Sequence, residues 1–211
     1  MKRYLLLTIC IIINLCAEGQ THKLLFKTHL GDFKVVLYDF TPHHRDLILS
    51  AIQDSVYKGA VFNRIIENFV VQGGEHDVDI AERESVDPTG AKPRLAAEFD
   101  PRAFHKIGAL GAGRDDNAEK ASFLNQIYFV VGKSVKAEDL DLLETKKNMK
   151  YSTEQRNTYL KSGGLPRLDG DYTVFGEVIE GLEVLMRISK VKTNKDDYPI
   201  EDVVFEVSEI K

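Results

Sequence analysis

The spacing of apolar positions changes several times along the chain, and each change predicts an element. From His22 to Lys27 and from Phe33 to Tyr38 apolar and polar residues alternate as in a half-buried strand, with Leu30-Gly31-Asp32 as a hairpin turn between them. The chain is therefore expected to open as an antiparallel meander. Thr41-Pro42 then marks a helix start: Thr41 can cap, Pro42 suits the first helical position, and Leu47, Ile48, Ile52, Val56 and Tyr57 recur at helical spacing up to Gly59. Such a helix would cover one mouth of a β structure. The run from Phe62 to Gly74 reads as two short strands around a Glu67-Asn68 turn, an arrangement that presents Arg64, Phe69 and Gln72 together.

Further along, Glu75 to Pro93 is polar and holds the turn Asp87-Pro88-Thr89-Gly90, so it reads as a long surface loop. Tyr128 to Val131 is a buried-strand candidate. The charged stretch from Lys133 to Lys161 suggests two short helices, with start signals at Lys136-Ala137-Glu138 and Ser152-Thr153-Glu154. Gly181 to Lys190 fits another helix and Val203 to Val207 a closing strand. This pattern alone supports an α+β or all-β fold and nothing narrower.

The first residues change the picture. Lys2-Arg3, an apolar core from Tyr4 to Leu15 and the small-x-small triplet Ala17-Glu18-Gly19 read as a secretory leader over residues 1–19, leaving 20–211 as one domain. The apolar core, about 12 residues, is too short for a spanning helix. Cys16 leaves open a lipid anchor at a new N-terminus, although Leu15 is bulkier than lipoprotein cleavage prefers. Cys10 is the other cysteine, so a chain processed at residue 19 has no disulfide and relies on its core. The full chain carries a net charge of −5 from 28 basic and 33 acidic residues; without Lys2, Arg3 and Glu18 it is −6. A mildly acidic, mixed surface offers no electrostatic footprint for nucleic acid.

Several residues admit a structural or a chemical reading. An Arg within an apolar strand, as at Arg64, meets a carboxylate, snorkels to solvent, or serves a site. His43 and His44 fall in a helical first turn, cannot share one face, and are read as solvent-exposed, not as metal ligands. The acids around His76 lack the glycine and distal Glu of a calcium loop, and Gly108, Gly111 and Gly113 do not follow a nucleotide fingerprint. No Ser/His/Asp constellation is recognisable.

Three blocks carry a family resemblance. Phe62-Asn63-Arg64-Ile65-Ile66, then Phe69-Val70-Val71-Gln72-Gly73-Gly74, is similar to the cyclophilin signature Phe-His-Arg-Ile-Ile followed by Phe-x-x-Gln-Gly-Gly-Asp. Gly108 to Arg114 resembles the Gly-Ala-Leu-Ala-Ala-Ala-Arg stretch of bacterial members, and Leu168 to Val178 resembles their Leu-Asp-Gly-x-Tyr-Thr-Val-Phe-Gly-Glu-Val. The resemblance implies a mainly β fold, an eight-stranded antiparallel β-barrel capped by two α-helices, here with a helical insert over 133–163. It implies peptidyl-prolyl cis/trans isomerisation with Arg64, Phe69 and Gln72 as catalytic residues. Val70, Gly113, Arg114, Gln126, Tyr128, Leu168 and Tyr172 would bind substrate, and no metal or cofactor is required.

The implied partners are proline-containing segments of exported proteins in a bacterial periplasm. Departures are concentrated in Ser122-Phe123-Leu124-Asn125-Gln126-Ile127-Tyr128, where bulkier residues and Ile127 replace the usual pattern and are expected to reshape the pocket beside Tyr128. Asn63 replaces His, Glu75 replaces Asp, and Arg167 stands where cyclosporin-sensitive relatives have Trp, which argues against strong cyclosporin binding. These departures leave a second reading open: a catalytically weak peptide-binding module or holdase built on the same groove.

Overall fold

The computed structural model describes residues 22–211, so the leader read over 1–19, with Cys10 and Cys16, lies outside the described residues. Eight strands form one antiparallel sheet in the order β3-β4-β6-β5-β7-β2-β1-β8, with β7 spanning Val174–Glu180. The first two, β1 (Lys23–Thr28) and β2 (Gly31–Leu37), form the expected hairpin. Its turn is tied by Leu30 N–H donating to Thr28 Oγ1 and by that hydroxyl donating to Gly31 O. Alternation buries Leu24, Phe26, Phe33 and Val35 on one face.

Phe26 and Phe33 are register partners and stack at 5.0 Å, while Phe129 meets both rings edge-on at 5.3 and 5.2 Å. Phe62 and Phe205 stack at 4.6 Å in the same core. Two helices bury their apolar faces against it, α1 (Pro42–Gln53) through Ile48 and Ala51 and α5 (Leu182–Ile188) through Val184, Leu185 and Ile188. The last strand, β8 (Phe205–Ile210), starts two residues later than the expected Val203 and pairs with β1. Residues just before it meet those before β3 (Arg64–Ile66): Phe62 N–H donates to Val203 O and Phe205 N–H to Ala60 O.

Three expectations are corrected here. The helix α1 stops at Gln53 instead of reaching Gly59, because Ser55 adopts a left-handed φ of 60° and swings Tyr57 into the core. Thr41 does not cap it; its hydroxyl donates to Tyr38 O, and the Glu98 carboxylate accepts from His43 N–H (3.1 Å) and His44 N–H (2.8 Å). An anion there satisfies orphan donors and complements the helix dipole. His44, read as exposed, is only 3% exposed, because its ring sits between Glu98 and Ser122. Burial lowers the His44 pKa against the pull of Glu98, so a neutral imidazole donates through Nδ1–H to Glu98 and accepts from the Ser122 hydroxyl. Burial acts to raise Glu98, yet the bonds from His44 and His43 outweigh it and hold the carboxyl below its ordinary range.

The polar loop after Gly74 also contains a helix, α2 (Asp77–Ser85). His76 caps it by accepting from Val78 N–H at 3.0 Å, Asp77 and Asp79 occupy its first turn, and Ile80 is buried. The 133–163 segment forms α3 (Ala137–Lys147) and α4 (Thr153–Ser162) around a small core of Leu140, Tyr151 and Tyr159 with Phe104 and Val135. Asp139 accepts from Lys136 N–H at one start, while Ser152 and Gln155 cap each other's N–H at the other. Gly164 N–H donates to Lys133 O and holds the two ends of the segment together.

Candidate active site

The groove is produced by strand alternation. On β4 (Val70–Gly74) and β6 (Gln126–Val130), Val71, Ile127 and Phe129 join the aromatic core, whereas Val70, Tyr128 and Val130 pack in a second cluster with Leu165, Leu168 and Val174. Register then aligns the chemistry: Arg64 pairs with Gln72, Gln72 with Tyr128, and Tyr128 with Gly111 on β5 (Ala109–Ala112). These residues form one row across four strands. Gly111 is required there, since a Cβ would lie 2.3 Å from Tyr128 Cζ.

All ten residues expected at the site line one cavity: Arg64, Phe69, Val70, Gln72, Gly113, Arg114, Gln126, Tyr128, Leu168 and Tyr172. Asp77 and Arg167 complete its wall. Asn68 at the hairpin turn has a left-handed φ of 61°, and the turn places Phe69 beside Arg64, whose guanidinium carbon is 5.9 Å from the ring centroid. Arg64 is 35% exposed and its Nε lies 3.9 Å from Asp197 Oδ2, a loose contact that leaves its donors available. Arg64 thus has a carboxylate 3.9 Å away and also lines the cavity.

Gln126 is fixed by donating to Asp77 Oδ1 at 2.6 Å and Glu75 O at 3.2 Å. Its amide lies over Gly113, where a Cβ would be 2.1 Å from Gln126 Oε1. Gly113 itself pairs inward, donating to Gln126 O and accepting from Phe123 N–H. Both backbone groups of Gly113, one of the residues expected to bind substrate, are therefore already engaged. The Arg114 side chain lies 4.7 Å from the Tyr172 ring and donates to the carbonyls of Asp171 and Asp115.

Below Tyr128 lies a buried polar chain that the sequence reading did not anticipate. The Tyr128 hydroxyl bonds His105 Nε2 at 2.7 Å; His105 Nδ1 and its backbone N–H both reach Asp169 Oδ1, at 2.6 and 2.9 Å. Asp169 Oδ2 accepts from the Tyr159 hydroxyl of α4 at 2.5 Å. Burial pushes the Tyr128 phenol well above its ordinary range, so it stays protonated and donates to His105, whose Nδ1–H donates to Asp169. From α3, Lys147 Nζ donates to Arg167 O, Asp169 O and the Asp171 carboxylate. Burial acts to raise Asp171, but Lys120 and Lys147 hold it below the usual range.

The expected reshaping beside Tyr128 is not found where it was placed. Ile127 points into the aromatic core because it is one residue out of phase with Tyr128, and Phe123 packs under the Arg94 guanidinium at 4.4 Å, outside the cavity. The visible departure is Arg167, whose guanidinium carbon sits 4.6 Å from the Phe69 centroid. One sequence signal could have exposed the polar chain: a tyrosine in a buried strand needs a hydrogen-bond partner.

Residues 23–209 match the family model described as cyclophilin type peptidyl-prolyl cis-trans isomerase/CLD. A Staphylococcus saprophyticus protein named "Putative peptidyl-prolyl cis-trans isomerase" is 30% identical over 200 residues, covering 94% of this chain and 96% of that one. A Streptococcus pyogenes protein named "Putative bifunctional phosphatase/peptidyl-prolyl cis-trans isomerase" is 29% identical over 205 residues, 89% of this chain and 38% of its own length. Among solved structures, a Cryptosporidium parvum cyclophilin type isomerase aligns with a TM-score of 0.63 at 20% identity, over 90% of this chain and 98% of that one. The same protein in the presence of the dipeptide Ala-Pro aligns at 0.62 and 19%, over 90% and 99%.

Proposed function

The chain belongs to the cyclophilin-type peptidyl-prolyl cis-trans isomerase family, and from that premise we propose that it rotates X-Pro bonds in exported proteins through a non-covalent mechanism centred on Arg64. The observation that carries this reading is the Arg64-Gln72-Tyr128 row with Phe69 and Leu168 in one cavity. The X-Pro bond rotates over a barrier of ~18–20 kcal/mol because the nitrogen lone pair is conjugated with the preceding carbonyl. A catalyst needs only to favour the twisted state in which that lone pair is released. Arg64 donates to the freed nitrogen or a neighbouring carbonyl, a charged hydrogen bond worth about 1.5–3 kcal/mol, or roughly 10- to 150-fold in rate. The remainder comes from Phe69, Val70, Tyr128 and Leu168, which hold the ring and exclude water from an amide that is more polar when planar.

Gln72 orients the substrate amide, and Gln126, Arg114 and Tyr172 hold the chain to either side. We read α1 and α5 as the end caps of the family's barrel and 133–163 as its insert, and residues 1–19 as the leader that sends the protein across the inner membrane to the periplasm. The holdase reading rested on residues 122–127; with Ile127 in the core and Phe123 outside the cavity, it loses that ground. The test is exchange of cis and trans proline signals by NMR in a blocked Ala-Pro peptide, with the wild-type chain and Arg64→Ala. Acceleration that largely disappears in the variant supports the mechanism; line broadening without acceleration would return the groove to a binding role.

A further inference from the structure

Three guanidinium groups, from Arg64, Arg114 and Arg167, line the cavity against the single lining carboxylate of Asp77, which is engaged by Gln126. The three differ in how their charge is used. Arg114 is bound to backbone carbonyls of Asp171, Asp115 and Asn117, and Arg64 has the distant Asp197. Among the described residues the Arg167 guanidinium has no hydrogen bond or ion pair; it lies over the Phe69 ring, at 4.6 Å from the centroid. The nearby Asp171 carboxylate is occupied by Lys120 and Lys147 and does not neutralise it.

Resting on the isomerase reading above, we propose that Arg167 is a specificity-determining residue that selects segments with a side-chain carboxylate within two residues of the proline. A guanidinium whose face covers an aromatic ring keeps its N–H donors around its edge, and that planar fork matches a carboxylate. Its backbone is also pinned, since Lys147 holds the Arg167 carbonyl and Pro166 to Leu168 form a 3-10 turn. Arg64 and Arg167 both flank Phe69, so a carboxylate bound by Arg167 sits beside the ring-holding surface and in the field of the catalytic group. The alternative is that Arg167 only covers Phe69, which predicts an equal loss for every substrate.

The two roles separate in a peptide series. N-acetylated, C-amidated Ala-Pro peptides would carry Ala, Glu or Lys on either side of the proline, the blocked ends removing the terminal carboxylate as a competing ligand. With the full chain at low salt, Glu at one flank should be turned over about two- to five-fold faster than Ala, the range of an exposed ion pair, and Lys slower. The Glu preference should shrink at about 0.5 M salt, disappear in Arg167→Gln and return in part in Arg167→Lys. Equal rates for all peptides, or a Glu preference unchanged in Arg167→Gln, overturn the assignment, as does a uniform loss across the series in that variant. If the all-Ala peptide is itself not accelerated by the wild type, the isomerase reading fails first and the specificity assignment falls with it.

Discussion

The β3–β4 hairpin and the segment from Pro166 to Tyr172 line the same cavity but are held in place by different means. The hairpin offers a strand of three residues, a left-handed Asn68 at its turn and an Arg64 whose nearest carboxylate is 3.9 Å away. The second segment is anchored from beneath by Asp169, which takes His105 and Tyr159, and from the side by Lys147 and the Tyr151 hydroxyl on Pro166 O. The charge proposed to act on the substrate amide is left under-coordinated, while the polar groups beneath the second segment, Asp169, His105 and Tyr159, are paired with one another. Activity and stability are therefore expected to be separable along this divide.

The largest effect should come from Asp169→Ala. It leaves the His105 Nδ1–H, the His105 backbone N–H and the Tyr159 hydroxyl without an acceptor in the interior, at about 1–3 kcal/mol each, and unfolding by denaturant should show a loss of about 3–5 kcal/mol. A loss below about 1 kcal/mol would mean the polar chain is not what anchors this wall. Arg64→Ala should do the reverse, lowering NMR-detected exchange by about 10- to 150-fold while leaving stability within about 0.5 kcal/mol. A large stability change in that variant would erase the contrast. Tyr128→Phe keeps the ring at the groove floor and removes its hydroxyl, leaving His105 Nε2 without its partner. We expect a stability loss of about 1–3 kcal/mol with exchange rates changed only slightly; a collapse in exchange would give the hydroxyl a direct role.

A smaller effect tests the support of α1, outside both walls. His44 has a folded-state pKa lowered by burial, so its contribution is complete above the ordinary histidine value of about 6.5. As pH falls below that value the unfolded chain takes up a proton that the folded one refuses, and stability declines. Glu98, also depressed in the folded state, adds a second decline below about pH 4.3. Urea midpoints measured from pH 7 to 5 should therefore fall, and His44→Gln should flatten that first slope; an unchanged slope would assign it to another group.

Much of the groove was legible because two-residue alternation survives on β4 and β6, and because the quoted motifs carry Arg64, Gln72 and Leu168 in order. What stayed hidden depended on partners far apart in the chain. Glu98 caps α1 from 54 residues beyond His44, and His105 meets Asp169 across 64 positions. No local pattern announces such pairs. The α2 helix was missed for a different reason: histidine is a poor cue for a helix start, although His76 performs the cap. The period that puts Tyr128 on the groove face puts Ile127 on the core face.

The way the sheet ends bears on the company this protein is proposed to keep. A chain that handles unfolded clients risks having them add as an extra strand wherever a sheet edge lies open. Here the β3 edge gives Ile65 N–H to Asp197 O, and the entry to β8 is joined to Ala60 and Phe62 through Phe205 and Val203. Past that point β8 exposes Glu206 and Glu209, charges that discourage a passing strand from docking. On the proposed function, edges closed in this way would leave the groove as the open place for a client and keep it from an edge where it could template aggregation.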